Sequence, residues 1–191
     1  MSGRARLFIL SGPSGSGKTT LYKRLLRRKL LRHQLVKSIS YTTRPRRRNE
    51  RNGRDYLFIS RAEFLRKKRQ GEFLESQNVF GFLYGTSKNT VEGLLNQNEN
   101  VLLCIDVKGE RAIKTIFPDA VSVFVLPPSI KILNQRLKNR STEGDREMRH
   151  RLRVAKKEIS ASRRYDYRIV NDNLSPALKK LEEIIIGKLK E

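Results

Sequence analysis

The sequence predicts an α/β fold in which a mainly parallel central sheet is flanked by helices. Short apolar runs typical of buried strands alternate with longer segments in which apolar residues recur at the helical period. Such alternation is typical of strand–helix–strand units, which place their strands parallel to one another. The 191 residues suffice for one domain with a buried core, and no linker divides them.

The chain is expected to begin with a buried strand at 7–10, which Gly12 and Pro13 end. A helix is expected from 18 to about 31, because its leucines recur near the helical period and basic residues occupy its other face. A strand at 36–41 should follow and lead into an arginine-rich loop.

The middle of the chain mixes strand and helix patterns. A strand is expected at 56–59, and Ser60 with Glu63 forms a capping box for a helix to about Gln70. Three further elements are predicted, namely an extended segment at 72–79, a turn at 80–85 and a helix at 88–98.

The last part of the chain returns to strand–helix alternation. Apolar strands are expected at 101–106 and 121–126, where Pro127 ends the second. The other expected elements are a helix at 112–117, a helix from Ser129 to about 138, a polar loop at 140–145, a helix at 146–162, a strand at 167–170 and a final helix that Ser175 caps and Pro176 starts.

Charge and cysteine content restrict the function classes. The 42 Lys and Arg against 19 Asp and Glu give a net charge of +23, which attracts nucleic acid, acidic membranes or phosphorylated small molecules, or else reflects a basic solvated surface. The single Cys104 excludes an internal disulfide and favours a reducing compartment such as the cytoplasm. Two histidines and one cysteine exclude an imidazole–thiolate metal cluster, and no apolar run approaches the roughly 18 residues of a membrane span.

Residues 12–19, GPSGSGKT, match the complete P-loop motif between a predicted strand and a predicted helix. Such glycines let backbone N–H groups surround a phosphate at the start of a helix. Lys18 should reach the β- and γ-phosphates of ATP, and the Thr19 hydroxyl should bind Mg²⁺. The alternative is a simple Gly/Ser turn at a helix start. The residues expected to bind ATP in this segment are Gly12, Ser14, Gly15, Ser16, Gly17, Lys18, Thr19 and Thr20.

The following segments identify the family that the chain resembles. The longest are SISYTTRPRR at 38–47 and NGRDYLF at 52–58. Shorter ones follow in order: FLE at 73–75, YGTS at 84–87, IDVKG at 105–109, FPDA at 117–120, LPPS at 126–129 and VND at 170–172. Together they closely resemble guanylate kinase, from about residue 6 to residue 186.

The resemblance implies one guanylate kinase-like domain over 1–191 with a P-loop kinase core, a GMP-binding lobe and a helical lid. The core would comprise 1–37, 88–128 and 165–191, the lobe 38–87, and the lid with its flanking helices 129–164. The implied reaction is in-line transfer of a phosphoryl group from ATP to GMP, and also to dGMP, with Mg²⁺.

The resemblance also assigns the acceptor site residue by residue. Glu75 would recognise guanine, because a carboxylate can accept from N1–H and the 2-amino group together, while Ser40 and Thr86 would approach the other polar edge. Asp106 would serve GMP or the metal. The residues that would hold the GMP phosphate are Arg44, Arg47, Tyr56 and Tyr84, whose donors suit phosphate oxygens.

The last third of the chain supplies the remaining candidates. Arg136, Arg140 and Arg151 match the family's lid arginines and would neutralise charge on the transferred group. The alternative is a solvated basic face, since Arg149 or Arg153 could be mistaken for Arg151. Asn171 would contact adenine, or would simply occupy a turn. The catalytic set expected is therefore Lys18, Arg44, Arg140 and Arg151.

Four positions depart from the family pattern. Cys104 replaces an acidic residue that usually stands two positions before Asp106, so the handling of Mg²⁺ is open to question. Ser76 replaces an aromatic residue, and Phe82-Leu83 replaces a polar–aromatic pair.

Three rival hypotheses remain at this point. The first is a guanylate kinase-like module that binds phosphopeptides without catalysis; an intact P-loop and the absence of adjoining interaction domains oppose it. The second is a basic nucleic-acid-binding protein, for which nonspecific contact at low salt is expected but no recognition motif is present. The third is a P-loop kinase with another acceptor, which Glu75 and Tyr84-Gly85-Thr86 oppose.

Overall fold

The computed structural model describes residues 4–138 and 145–191. In these ranges the strands are β1 Leu7–Ser11, β2 Leu35–Lys37, β3 Tyr41–Thr42, β4 Leu57–Phe58, β5 Phe73–Val79, β6 Phe82–Ser87, β7 Asn100–Cys104, β8 Val121–Leu126 and β9 Tyr167–Val170. The helices are α1 Lys18–Leu25, α2 Arg61–Arg69, α3 Lys88–Asn96, α4 Val107–Ile116, α5 Ile130–Lys138, α6 Asp145–Ala161 and α7 Leu174–Leu189, with a 3-10 turn at Ser162–Arg164.

The central sheet has five strands in the order β2-β7-β1-β8-β9, and every neighbouring pair is parallel. Its strands are apolar on both faces because helices cover both sides. Phe8 and Leu10 pack with Leu21 of α1 on one face, whereas Leu7 and Ile9 pack with α3 and α4 on the other. The predicted α/β class with a mainly parallel sheet is therefore confirmed.

A second, four-stranded sheet in the order β4-β3-β6-β5 is inserted between β2 and α3. Strands β5 and β6 form an antiparallel hairpin, and β6 also pairs with β3. Helix α2 packs on this sheet through Phe64, which is fully buried and stacks on Phe73 with ring centroids 4.6 Å apart. Ser60 caps α2 as predicted, since its hydroxyl accepts from the Glu63 N–H.

The turn predicted at 80–85 is wrong. Only Phe80 and Gly81 form the turn, and Phe82 already begins β6. Pairing with β3 on one side and β5 on the other keeps residues 82–87 extended.

The helix predicted at 18–31 ends at Leu25. Leu25 and Leu31 pack in the same core cluster. At about 100° per residue, a continuous helix would turn these two side chains to different faces. The predicted strand at 36–41 is likewise divided, because β2 joins the central sheet and β3 joins the second sheet.

Two helix starts also differ from the prediction. Helix α4 begins at Val107 rather than 112, because Asp106 caps it. Helix α7 begins at Leu174 with Asn173 as its N-cap, so Ser175 does not cap it. Pro176 is tolerated in this first turn because the N–H it lacks would have no partner within the helix. The predicted loop at 140–145 lies outside the described residues except for Asp145, which begins α6.

Within the described ranges, none of the helices combines the length and the apolar character that crossing a bilayer requires.

Candidate active site

The carboxyl ends of β1 and β7 open into a cleft of about 670 Å³. Its lining combines the P-loop, a wall formed by the four-stranded sheet and the loop between its strands β3 and β4, and Arg151 and Glu158 of α6. Ligands of open parallel sheets bind outside the carboxyl ends of the strands. A larger depression of about 1380 Å³ lies at the amino ends of β1 and β8, and none of the predicted site residues lines it.

The P-loop owes its shape to three glycines with left-handed backbone angles. The φ angles are 143° at Gly12, 85° at Gly15 and 94° at Gly17. A Cβ atom on Gly12 would lie 2.4 Å from the Val125 carbonyl oxygen, and one on Gly17 would lie 2.2 Å from the Asn171 amide nitrogen. Side chains are therefore excluded at these positions, and the loop can direct backbone N–H groups toward a phosphate.

Lys18 and Asn171 hold opposite sides of this loop. The Lys18 ammonium group donates to the carbonyl oxygens of Gly12 and Pro13, at 3.1 Å for Pro13. Asn171 is buried, and its side-chain amide donates to the Ser16 carbonyl oxygen at 2.7 Å. The main-chain carbonyl oxygen of Asn171 accepts from the Arg136 guanidinium at 3.4 Å. Sequence reasoning missed this support of the P-loop by Asn171.

Glu75 is the buried carboxyl group of the four-stranded sheet, with 7% of its surface exposed. The Thr86 hydroxyl donates to Glu75 Oε1 at 2.5 Å from the paired strand. Burial raises the Glu75 pKa to about 7; the Thr86 hydrogen bond opposes this rise and the nearby Asp106 carboxylate adds to it. A Cβ on Gly109 would come within 3.0 Å of Glu75 Oε2, so the glycine permits the close approach of α4.

Arg44 is fixed in the cleft wall by partners on several sides. Its Nε donates to the Tyr84 hydroxyl at 3.1 Å, and one terminal nitrogen donates to both carboxylate oxygens of Glu50 at 2.7 and 2.9 Å. The guanidinium also lies 5.6 Å from the Tyr56 ring centre. The result is a cationic group held rigidly beside two phenols, which suits the recognition of a phosphate.

Glu50 and Asp55 are structural residues of this wall that sequence reasoning missed. Glu50 also accepts from the Arg47 backbone N–H at 3.0 Å, which ties down the arginine-rich loop. Asp55 is buried and forms an ion pair with Lys23 of α1. Burial alone would raise the Asp55 pKa, but hydrogen bonds from Lys23, the Arg51 N–H and Arg54 together lower it to about 2. The sequence feature that could have indicated them is that each is an acidic residue in an arginine-rich loop.

Asp106 caps a helix and also lines the cleft. Its Oδ1 accepts from the Gly109 N–H at 2.7 Å and caps α4. The same residue lines the cleft, together with Cys104 two positions earlier. Burial raises the Cys104 pKa to about 11, although Lys37 and Lys18 partly oppose it, so the thiol is neutral at pH 7.

Helix α6 brings one predicted and one unpredicted group to the cleft. Arg151 lines the cleft, as does Glu158, which lies near both Lys18 and Asp106. Burial raises the Glu158 pKa to about 7, while Lys18 lowers it and Asp106 raises it. The seven-residue spacing of Arg151 and Glu158 places both on one helix face, which was the signal for Glu158. Arg140 lies outside the described residues.

Most of the predicted residues meet in this one cleft. Those that line it are Gly12, Ser14, Gly15, Gly17, Lys18, Thr19, Ser40, Arg44, Arg47, Tyr56, Glu75, Tyr84, Asp106 and Arg151. Ser16 and Thr86 are buried behind them, and Thr20 is exposed on α1 outside the lining. Arg136 and Asn171 support the P-loop without lining the cleft.

Comparisons with known proteins identify the family to which a chain with this site is similar. The guanylate kinase family model matches residues 4–188. A guanylate kinase of Nitrosomonas europaea is 44% identical over 179 residues, which cover 94% of this chain and 88% of that protein. A guanylate kinase of Thermotoga maritima is 40% identical over 182 residues, covering 95% and 86% of the two chains.

Solved structures show the same relationship. The crystal structure of guanylate kinase from Anaplasma phagocytophilum superposes with a TM-score of 0.81 at 32% identity, and the match covers 98% of this chain and 87% of that one. A shikimate kinase from Bacteroides thetaiotaomicron, with a TM-score of 0.50 at 15% identity over 95% of this chain and 98% of its own, shares the fold alone. The parallel sheet, the P-loop cleft and the sequence similarity agree, and the chain belongs to the guanylate kinase family.

Proposed function

We propose that the cleft transfers the terminal phosphoryl group of ATP to GMP, with ATP on the P-loop and GMP against the four-stranded sheet. Membership of the guanylate kinase family supports this activity. The observation that carries the arrangement is that a complete P-loop and the buried carboxyl group of Glu75 open into the same cleft. A phosphopeptide-binding module without catalysis is disfavoured, because Lys18 and Thr19 complete the P-loop motif.

On the donor side, backbone N–H groups of the P-loop would surround the ATP phosphates, and Lys18 would exchange its loop carbonyl partners for phosphate oxygens. Asn171 and Arg136 would affect ATP binding indirectly, because they hold this loop in shape. The contact of Asn171 with adenine and the catalytic role of Arg140 remain predictions.

The donor groups of the cleft fit Mg²⁺ held chiefly by nucleotide phosphates. Among the described residues no group of three or more acidic, histidine or cysteine side chains forms a metal cage. Thr19 supplies a hydroxyl, and Asp106, whose Oδ1 caps α4, can offer Oδ2. Mg²⁺ in kinases keeps waters and binds few protein oxygens besides phosphates. When bound, it would neutralise charge on the phosphates.

On the acceptor side, the Arg44 guanidinium and the Tyr84 and Tyr56 hydroxyls would hold the GMP phosphate, with Arg47 at the entrance. Ionised Glu75 would accept from guanine N1–H and the 2-amino group. Thr86 positions that carboxylate, and Ser40 lies in the same wall.

We infer that catalysis depends on positioning and charge neutralisation rather than on a strong base. The two nucleotides would be held in line across the cleft, which lowers the entropic barrier to transfer. Lys18, Arg44 and Arg151 would oppose the negative charge that develops on the transferred group. Segments 38–87 and 129–164, the proposed acceptor lobe and lid, would exclude water from this site.

The test is an assay of ADP release with GMP, dGMP, AMP, UMP and CMP as alternative acceptors. We expect GMP and dGMP to be used best, because only guanine offers two donors to Glu75. Greater activity with AMP, UMP or CMP would contradict the acceptor assignment.

A separate experiment tests the net charge of +23. If this charge gives only nonspecific contact with nucleic acid, retention of the protein on immobilised RNA should fall steeply as the salt concentration rises.

The raised Glu75 pKa predicts that GMP binding depends on pH. The ionised carboxylate accepts from guanine, so protonation below the pKa of about 7 should weaken binding. We expect the KM for GMP to rise about tenfold from pH 8 to pH 6 if only ionised Glu75 binds. The measurement is the KM for GMP across this range.

The Glu75→Gln variant is the control, because it keeps the titration of Glu158 and of the GMP phosphate, whose second pKa is about 6, and lacks only that of Glu75. An equal rise of KM in both proteins would exclude Glu75 as the titrating group.

The position of Cys104 in the cleft leads to a prediction about the dependence of the rate on Mg²⁺. Cys104→Asp would add a carboxylate to the cleft beside Lys18 and Asp106, and we expect a lower Mg²⁺ concentration for half-maximal rate. The measurement is a Mg²⁺ titration of the initial rate, accompanied by a thermal melt. Cys104→Asn is the matched control of similar size without charge. An unchanged Mg²⁺ midpoint with a lower Tm would mean that position 104 only packs against the core.

A further inference from the structure

The tip of the β5–β6 hairpin has an unusual composition for its geometry. Val79 pairs with Phe82, so the turn consists of Phe80 and Gly81 alone, with φ angles of 52° and 85°. Two-residue turns in which both central residues have positive φ favour Asn-Gly or Gly-Gly. A phenylalanine is locally disfavoured in this left-handed conformation. The hairpin by itself therefore gives no reason for Phe80.

The contacts of the Phe80 ring lie on α6, the helix that brings Arg151 and Glu158 to the cleft. The ring meets the His150 imidazole edge to face, with centroids 5.7 Å apart and planes at 86°. The Arg151 guanidinium carbon lies over the same ring, 5.3 Å from its centre. Both Phe80 and Arg151 line the cleft. A backbone conformation that is strained for phenylalanine thus brings an aromatic face against a cleft arginine.

We propose that Phe80 is a positioning residue that holds the Arg151 guanidinium at the cleft and thereby joins the acceptor-binding hairpin to α6. The proposal rests on the role suggested above for Arg151 in neutralising charge on the transferred group. A cation is attracted to an aromatic face within about 6 Å. The N–H donors of a guanidinium lie in its own plane, so contact with the ring does not consume them as hydrogen-bond donors.

The hairpin also explains why such a contact would serve this reaction. Strand β5 carries Glu75, which faces the base-binding region, and ends immediately before Phe80. The same strand therefore connects acceptor recognition at one end with placement of a cleft arginine at the other. Phe80 would affect the rate of transfer more than the affinity for GMP, because Glu75 and Thr86 lie at the opposite end of the hairpin.

The first test compares Phe80→Asn with Phe80→Tyr. Asparagine suits the turn and removes the ring, so the hairpin should be retained or stabilised while the contact with Arg151 is lost. We expect kcat to fall about 3- to 30-fold, the range of a cation–π contact. The KM for GMP should change less than about threefold and Tm should not fall. Phe80→Tyr keeps the aromatic face and should retain kcat within about twofold. An unchanged kcat in Phe80→Asn would overturn the proposal.

The second test repeats Phe80→Asn in an Arg151→Ala background. If Phe80 acts through the guanidinium, its replacement should change kcat less than about twofold there. The same fold-loss in both backgrounds would overturn the proposal while leaving the role of Arg151 intact. If Arg151→Ala alone leaves kcat unchanged, the catalytic role of Arg151 fails, and the positioning role of Phe80 fails with it.

Discussion

Lys18→Ala is expected to abolish measurable GMP phosphorylation, a loss of at least about 10³-fold in kcat. The Lys18 ammonium group is the P-loop cation that can follow the transferred phosphoryl group, and backbone N–H groups cannot supply its charge. The loop should lose the hydrogen bonds from Lys18 to Gly12 and Pro13 but keep its shape, because the glycines and the hydrogen bond from Asn171 to Ser16 remain. The measurement is ADP release at saturating ATP and GMP, together with a thermal melt.

Arg24→Ala is the matched control for this variant. Arg24 lies on the same helix α1 and is exposed, and it does not line the cleft. Its replacement removes one positive charge without touching the site, so kcat should be unchanged. Near-native turnover of purified Lys18→Ala would contradict the assignment of Lys18 as a catalytic residue.

Glu75→Gln should lower kcat/KM for GMP by about 5- to 150-fold and leave the Kd for ATP unchanged. The change is nearly isosteric, but an amide NH₂ would replace an acceptor oxygen opposite the donors of guanine. Leaving a buried donor unpaired costs about 1–3 kcal/mol. The measurements are kcat/KM for GMP and the Kd for ATP.

Glu72→Gln provides the comparison, since Glu72 precedes the same strand, pairs with Lys67 and does not line the cleft. It should leave both constants unaltered. A specificity constant for GMP in Glu75→Gln equal to that of the parent protein would show that Glu75 does not contact the base.

The sequence alone determined the buried strands of the central sheet and the P-loop, because the structure of each depends on residues close together in the chain. The buried runs of β1, β7 and β8 are apolar because the central sheet is covered on both faces, and this pattern is visible in the sequence. The P-loop needs glycine at positions where the backbone is left-handed, and it needs Lys18 at the start of the next helix. These requirements fall within a few consecutive residues, so the motif predicts its own geometry.

The family resemblance extended this prediction to residues distant in the chain. Glu75, Arg44, Tyr84 and Asp106 were each selected by a short motif, and the structure brings all four to one cleft. Their individual roles remain predictions, because proximity alone does not establish what each one binds.

Only the tertiary structure decided the features that depend on contacts between distant segments. Strand β6 is extended because β3 and β5 pair with its two edges, whereas the local sequence predicted a turn at 80–85. Asn171 donates a hydrogen bond to the Ser16 carbonyl oxygen of the P-loop, and the Phe80 ring of the β5–β6 turn meets Arg151 of α6. In each pair the two residues are far apart in the chain, so the sequence around one does not indicate the other. The free energy of these arrangements comes from long-range pairing and burial, which outweigh the local preference of a single residue.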